Sequence, residues 1–262
     1  MKTYETLIIE QSGATTTVYL NRPPLNTFNT MMMEELISFF HSLRNNADVR
    51  FVVISTKGKL FSAGADLKEL NELVNNKERG AINARLHQLR GQEMLRSMEA
   101  LEQITIGALP GAIIGGGAAL ASSCDFRILA EDSYFSVPEA VIGYPYTWGC
   151  TPRLVRIVGA SRAMEIIMLC EPIPAQEAYR IGLANRVVPP NRLMEFTHDF
   201  ISKIAKSSPT SNRITKKIAM GASMQGFGNM FSTEPEIVPG LIHTGEPAEG
   251  MQAFLEKRSP KY

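Results

Sequence analysis

Charge of one sign is the first thing this sequence lacks. Its 27 lysines and arginines stand against 26 aspartates and glutamates, a formal net charge of +1. With no basic excess and no polybasic cluster, neither nucleic acid nor a membrane surface is an expected partner. Cysteine is scarce. Cys124, Cys150 and Cys170 are odd in number and far apart, with no Cys-x-x-Cys pair. That argues against a zinc site or a disulfide framework, and for buried or free thiols in a reducing compartment. His41, His87, His198 and His243 are scattered, without His-Glu-x-x-His spacing, so no metal is expected. No apolar run approaches the ~20 residues of a bilayer span. Met1–Glu5 has no apolar signal core, which makes a cytoplasmic protein the expectation.

What is present is ordinary for a globular chain: 262 residues, 44% apolar and 20% charged. That length suits one large domain, or a core with a small appendage. Thr6–Glu10 and Thr15–Leu20 read as a hairpin around Ser12-Gly13. Asn29 is a candidate N-cap for a helix carrying Met33, Leu36, Phe40 and Leu43 on one face. Phe51–Ser55 is wholly apolar, as in a strand covered on both sides. Strand, helix and strand recur from there. Glu69–Gly80 is highly charged and reads as an exposed stretch. Ala81–Gln103 has Leu86, Leu89, Leu95 and Met98 near helical spacing and should pack on the sheet. Strands are expected at Asp125–Leu129 and Tyr134–Ser136. Beyond Pro145 strand signals fade, and helices are expected at Arg153–Val158, Arg162–Leu169, Ala175–Ile181, Leu193–Ile204 and Pro247–Lys257. The class is therefore α/β for the first two thirds and α for the last.

The chain is organised around Leu109–Asp125. An apolar strand, Ile104–Leu109, leads to Gly115, Gly116 and Gly117, then to the helix formers Ala118, Ala119, Leu120 and Ala121. Glycines let backbone approach a ligand closely, and the first N–H groups of a helix can point at a negative oxygen. A dinucleotide fingerprint fails because Leu120 stands where its third glycine belongs, and a phosphate loop fails because no Lys-Ser/Thr follows Gly116. An oxyanion site remains, beside the alternative of a plain packing turn.

A second motif, Phe61-Ser-Ala-Gly-Ala-Asp-Leu-Lys68, precedes it. Together with Gly111-x-x-x-Gly-Gly-Gly-x-x-Leu-Ala121, Cys124-Asp125 and Phe135–Gly143, this order resembles the crotonase superfamily, the enoyl-CoA hydratase/isomerase family. The likeness continues through Arg153-Leu154, Gly159, Ala175–Leu183 and Glu249–Arg258. It implies a crotonase-like spiral of ββα units in residues 1–190, holding an acyl-CoA site. A C-terminal helical trimerisation region would occupy 191–262. It also implies a homotrimer or dimer of trimers, and no cofactor beyond the CoA of the substrate. The N–H groups of Ala65 and Gly116 would form the oxyanion hole. Ala63, Gly64, Asp66, Leu67 and Lys68 would line the bent CoA, next to Gly115 and Gly117.

The family commonly carries one glutamate two positions after the glycine triplet and a second in the Pro-Glu segment. Here the first position is Ala119, and only Glu139 remains. The glycine-rich loop of many hydratases is replaced by Tyr144-Pro-Tyr-Thr-Trp-Gly-Cys150. Glu139 follows Pro138 among Val137, Ala140, Val141 and Ile142. Apolar surroundings raise a carboxyl pKa toward the working pH of a base; a first-turn glutamate serving a helix dipole is the other reading. One carboxylate favours double-bond isomerisation, with hydration next, and decarboxylation, C–C cleavage or non-catalytic acyl-CoA binding behind. Tyr144, Tyr146 and Trp148 suit an acyl pocket or simply a core. Lys257, Arg258 and Lys261 suit the CoA phosphates or a solvated terminus. A side chain added at Gly116 is expected to fill the place of the bound carbonyl.

Overall fold

β-Branched and apolar residues form short strands, and helices between them cover the sheet. The computed structural model describes residues 3–74, 76, 78–223, 240 and 244–261. His243, and residues 224–239 and 241–243 of the expected C-terminal helical region, lie outside the described residues. So do residues 75 and 77 of the charged stretch. β1 (Leu7–Ser12) and β2 (Thr15–Leu20) pair antiparallel, turning at Gly13, whose φ of +57° is left-handed. β3 (Phe51–Thr56) and β4 (Ile104–Leu109) follow in parallel, both buried along their whole length. β6 (Phe126–Ala130) and the strand Arg186–Val188 complete a six-stranded sheet on the far side of β4. Side chains alternate across it. Val52 and Ile54 enter the main core, while Phe51 and Val53 enter a second core with Leu193 and Ile201.

A smaller sheet consists of β5 (Ala112–Ile114), Tyr134–Ser136 and Ile173–Pro174. Isolated bridges extend its logic to earlier turns of the chain: Ser62 pairs with Ile113, and Phe28 pairs with Ala65. Each turn thus visits the large sheet, then the small one, then a helix. After β2 come Phe28 and α1 (Thr30–Leu43); after β3 come Ser62–Ala65 and α2 (Leu67–Val74); after β4 come β5 and α4 (Gly116–Ser123). This is a repeated ββα spiral. The step from β4 to β5 is made at Gly111. Its φ is +58°, and a Cβ there would lie 2.1 Å from the Lys59 carbonyl oxygen. Sequence reading ran β4 straight into the glycine turn, because three residues of β5 are too few to show a period. In the same way it missed Ile173–Pro174 and Arg186–Val188, two strands beyond Pro145.

The N-cap at Asn29 holds: its side-chain oxygen accepts from the Met32 N–H at 2.9 Å. α3 spans Gly80–Glu99, and its buried stripe is Ala84, His87, Gln88, Gly91, Leu95 and Met98. Leu86 and Leu89, expected to pack on the sheet, are exposed instead. They stand off the stripe that Leu95 and Met98 define by helical spacing. The charged stretch from Glu69 is likewise only partly exposed, since α2 buries Leu70. The remaining helices are α5 (Cys150–Val158), α6 (Ala160–Leu169), α7 (Ala175–Arg180), α8 (Leu193–Ala205), α9 (Pro209–Ser223) and α10 (Glu246–Leu255). α9 was not expected from sequence. It is tied to the sheet by Lys216, which donates to the Gln103 carbonyl at 2.7 Å and pairs with Asp125 at 2.8 Å. α10 folds back over the 3-10 turn Glu139–Ile142, where Met251 joins Leu70, Ile142 and Tyr144 in a small third core. Among the described residues, no helix is long and apolar enough to cross a membrane.

Candidate active site

Successive turns of the spiral end side by side, and that places two backbone donors together. In the bridge between Phe28 and Ala65, the Phe28 N–H donates to the Gly64 carbonyl at 2.8 Å and the Asp66 N–H donates to the Phe28 carbonyl at 3.0 Å. A parallel pairing of this kind uses the groups flanking Ala65 and turns the Ala65 N–H the other way. Gly116 opens α4, so its N–H has no partner one turn back. Among the described residues neither N–H meets an acceptor. The two turns are adjacent: a Cβ built on Gly64, which has φ +92°, would lie 3.3 Å from the Gly116 nitrogen.

The next turn brings a carboxyl group. β7 (Tyr134–Ser136) is bonded to this corner through the Gly115 N–H, which donates to the Ser136 carbonyl at 2.9 Å. Glu139 follows as the first residue of the 3-10 turn. Its Oε1 rests against Gly115, where a Cβ would come within 2.7 Å. Glycine is therefore required at 115 both for its φ of +50° and for room. Glu139 Oε2 is sealed from solvent and has no hydrogen-bond partner. Burial pushes its carboxyl up to about 7, because a carboxylate loses hydration there.

These groups face one cavity of about 440 Å³. Ala63, Gly64, Ala65 and Leu67 line it, as do Gly115, Gly116, Glu139, Tyr146 and Trp148. Ala119 also faces it, so the position lacking a carboxylate lies in the same space. Three expected residues stand elsewhere. Asp66 caps α2, accepting from the N–H groups of Lys68 and Glu69, and pairs with Arg22 at 2.7 Å. Burial alone would raise its pKa, but these bonds outweigh that and hold it below the usual carboxylate value. Lys68 is exposed. Gly117 is a packing glycine: a Cβ there would lie 2.8 Å from Ser62 Cβ. At the C-terminal end, Arg258 is engaged by Glu249 at 2.7 Å and by Glu256.

Trp148 is the hub of the cavity wall. Its indole lies 5.5 Å from the His87 ring and edge-on to Phe28 at 6.5 Å. A Cβ on Gly91 of α3 would meet it at 2.3 Å, and a Cβ on Gly116 would meet Cζ3 at 2.9 Å. A side chain at Gly116 would thus strike the indole and Phe28, protein atoms that the sequence reading did not bring to this position. The indole is presented by a left-handed residue, φ +61°, a conformation costly for a bulky side chain. Arg153, fully buried, holds it. Its guanidinium donates to the Trp148 and Gly149 carbonyls at 3.0 and 2.8 Å and to Glu99 Oε1 at 2.8 Å.

Sequence reasoning missed His87, Gln88, Leu70 and Phe254 as cavity residues. Phe254 comes from α10, so the cavity is not confined to residues 1–190. For His87 and Gln88 a signal was present: the stripe through Met98 and Leu95 runs back onto them at helical spacing. Burial holds the His87 imidazole neutral, with a pKa of about 4.

The chain matches the family described as enoyl-CoA hydratase/isomerase over residues 10–262. It is 33% identical over 255 residues to a short-chain-enoyl-CoA hydratase of Clostridium acetobutylicum, covering 96% of this chain and 95% of that one. A crystal structure of an enoyl-CoA hydratase from Bacillus anthracis superposes with a TM-score of 0.78 at 31% identity, covering 98% of this chain and 99% of that one. A methylmalonyl-CoA decarboxylase in complex with 2-nitronate-propionyl-CoA superposes with a TM-score of 0.86 at 24% identity, over 99% of each chain, which shows a shared fold.

Proposed function

This chain belongs to the enoyl-CoA hydratase/isomerase family, and we propose that it shifts the double bond of an enoyl-CoA thioester, with Glu139 as the single base. The observation that carries this reading is the lone carboxylate: among the described residues lining the cavity, Glu139 is the only acidic one, and Ala119 faces the same space. A thioester carbonyl set between the Ala65 and Gly116 N–H groups gains two fixed donors as its oxygen becomes an enolate. Removing one such donor from an enzyme typically costs ~10²–10³ in rate. Glu139, poised near neutrality, takes a proton from one carbon and returns it to another, which a single group can do. We further propose that the protein works in the cytoplasm as a homotrimer or dimer of trimers and needs no cofactor besides the substrate's own CoA.

Glu139→Gln tests the base. The amide fills the same space and touches neither oxyanion donor, so acyl-CoA binding should persist while turnover falls by ~10²–10⁴. Loss of binding along with turnover would make Glu139 structural. Partial return of the abstracted proton, followed by deuterium exchange, is the expected mark of a one-base shuttle.

Hydration is the second reading, favoured by the hydratase name of the Clostridium relative. It has a direct test in solvent oxygen. Efficient incorporation of labelled oxygen by the unaltered protein would put hydration first. If the absent carboxylate at position 119 is what disfavours hydration, Ala119→Glu should raise the hydration-to-isomerisation ratio.

A further inference from the structure

Beyond the reacting end, three neutral polar groups in the cavity wall have nothing to bond. His87 Nδ1, Gln88 Oε1 and the Tyr144 hydroxyl are sealed from solvent and lack a hydrogen-bond partner. The residues are 3%, 4% and 6% exposed, and all three line the cavity. A buried polar group without a partner loses its hydration and gains nothing in return, and such groups are few in native proteins. Phenylalanine or leucine would fill the same volume without that cost. Three such groups around one cavity mark a place where a ligand supplies the partners.

Their position says which part of the ligand. The His87 ring lies 5.5 Å from the Trp148 indole, and the Cζ3–Cη2 edge of that indole lies against Gly116. The polar groups therefore share the indole wall with the oxyanion donors, where a chain leaving the thioester would pass. Tyr144 belongs to the same small core as Ala84, one turn before His87 and Gln88 on α3. The chemistry says what kind of group. His87, near 4, and the Tyr144 phenol, near 12, both stay neutral at pH 7. No lysine or arginine is among the described residues lining the cavity, so a carboxylate or phosphate on the chain would find no countercharge. Gln88 Oε1 accepts, the Tyr144 hydroxyl donates or accepts, and the neutral imidazole does either at Nδ1. A group that both donates and accepts matches all three.

We propose that the acyl part of the substrate carries an uncharged hydroxyl group beyond the thioester, and that His87, Gln88 and Tyr144 hold it. This rests on the acyl-CoA reading above. The surrounding wall of Leu70, Ile142, Trp148 and Phe254 takes the rest of the chain.

The test uses binding of unreactive ligands, so that it does not depend on Glu139. Calorimetry compares a medium-chain saturated acyl-CoA with counterparts whose hydroxyl is moved one carbon at a time, on the unaltered protein, His87→Phe and Gln88→Leu. One hydroxyl position should tighten binding about 10- to 100-fold over the plain chain, the ratio expected for buried hydrogen bonds. In the two variants that gain should vanish, while the plain chain binds as well or better. Equal or weaker binding of every hydroxylated chain to the unaltered protein overturns the proposal, and it does so whether or not either variant folds. Equal weakening of plain and hydroxylated chains by the variants also overturns it. No binding of any acyl-CoA would instead sink the acyl-CoA reading itself.

Discussion

Glu139 titrates near 7 in the folded chain, against about 4.5 when exposed. Below about 4.5 both folded and unfolded chains carry the neutral acid, and the group adds no pH dependence. As pH rises toward 7 the unfolded chain has lost that proton and the folded chain still holds it, so stability falls across this window. The carboxylate form, the one proposed to act as base, is thus the form the fold tolerates least. Glu139→Gln should therefore match the unaltered protein in denaturant melts near pH 4.5, and exceed it by up to about 3 kcal/mol near pH 8. Turnover of the unaltered enzyme should rise with pH through the same region, reaching a plateau above about 7. A flat activity profile, with no stability gap at high pH, would show that this carboxyl is not held in an apolar site.

α3 shows how a single helix couples packing to the site. Gly91 is where the helix backbone meets the Trp148 ring, and a Cβ there would intrude to 2.3 Å. Gly91→Ala should destabilise the fold by about 1–3 kcal/mol, as overpacking does, and should cut turnover by pushing the indole toward Gly116. α5 acts from the other side. Arg153→Met removes the donors to the Trp148 and Gly149 carbonyls and leaves Glu99, itself 11% exposed, with less compensation. The expected loss is about 3–5 kcal/mol in urea unfolding. Elements of this kind mark what was legible in sequence. The stripe through Leu95 and Met98, the cap at Asn29, and the paired glycine motifs could be read because local pattern sets them. The strand at 112–114 and the orphan polarity of His87 and Gln88 could not, since partners from distant turns decide both. Asp66 and Gly117 fell on motif positions, yet one caps a helix and the other packs on Ser62; sequence order could not separate a residue that lines the cavity from its neighbour that supports it.

At the scale of the whole molecule, the spiral explains why the site sits where it does. Three consecutive turns end at one edge of the small sheet, giving Ala65, Gly116 and Glu139 in sequence order, and the C-terminal α10 closes over them with Phe254. Apolar residues remain outside this arrangement. Met164, Met168 and Leu169 on α6 stand exposed, as do Ile214 and Ile218 on α9, and scattered single residues of this kind are ordinary while adjacent ones on one helix mark contact surfaces. Sedimentation at micromolar concentration should show an assembly of several 28.9 kDa chains, and Met168→Glu should shift it toward smaller species. A stable monomer would remove the homotrimer from the proposed function.

The chain contains one tryptophan, and it is Trp148. Tryptophan emission from this protein, excited beyond the tyrosine absorption band, therefore originates at the cavity wall. In the empty state the sealed indole should emit at short wavelength. A thioester entering the cavity changes what lies beside the ring and should change intensity without any attached dye. Acid should quench the signal as the neighbouring imidazole, 5.5 Å away, takes a proton near pH 4. The fold has built its own optical probe into the wall of the cavity.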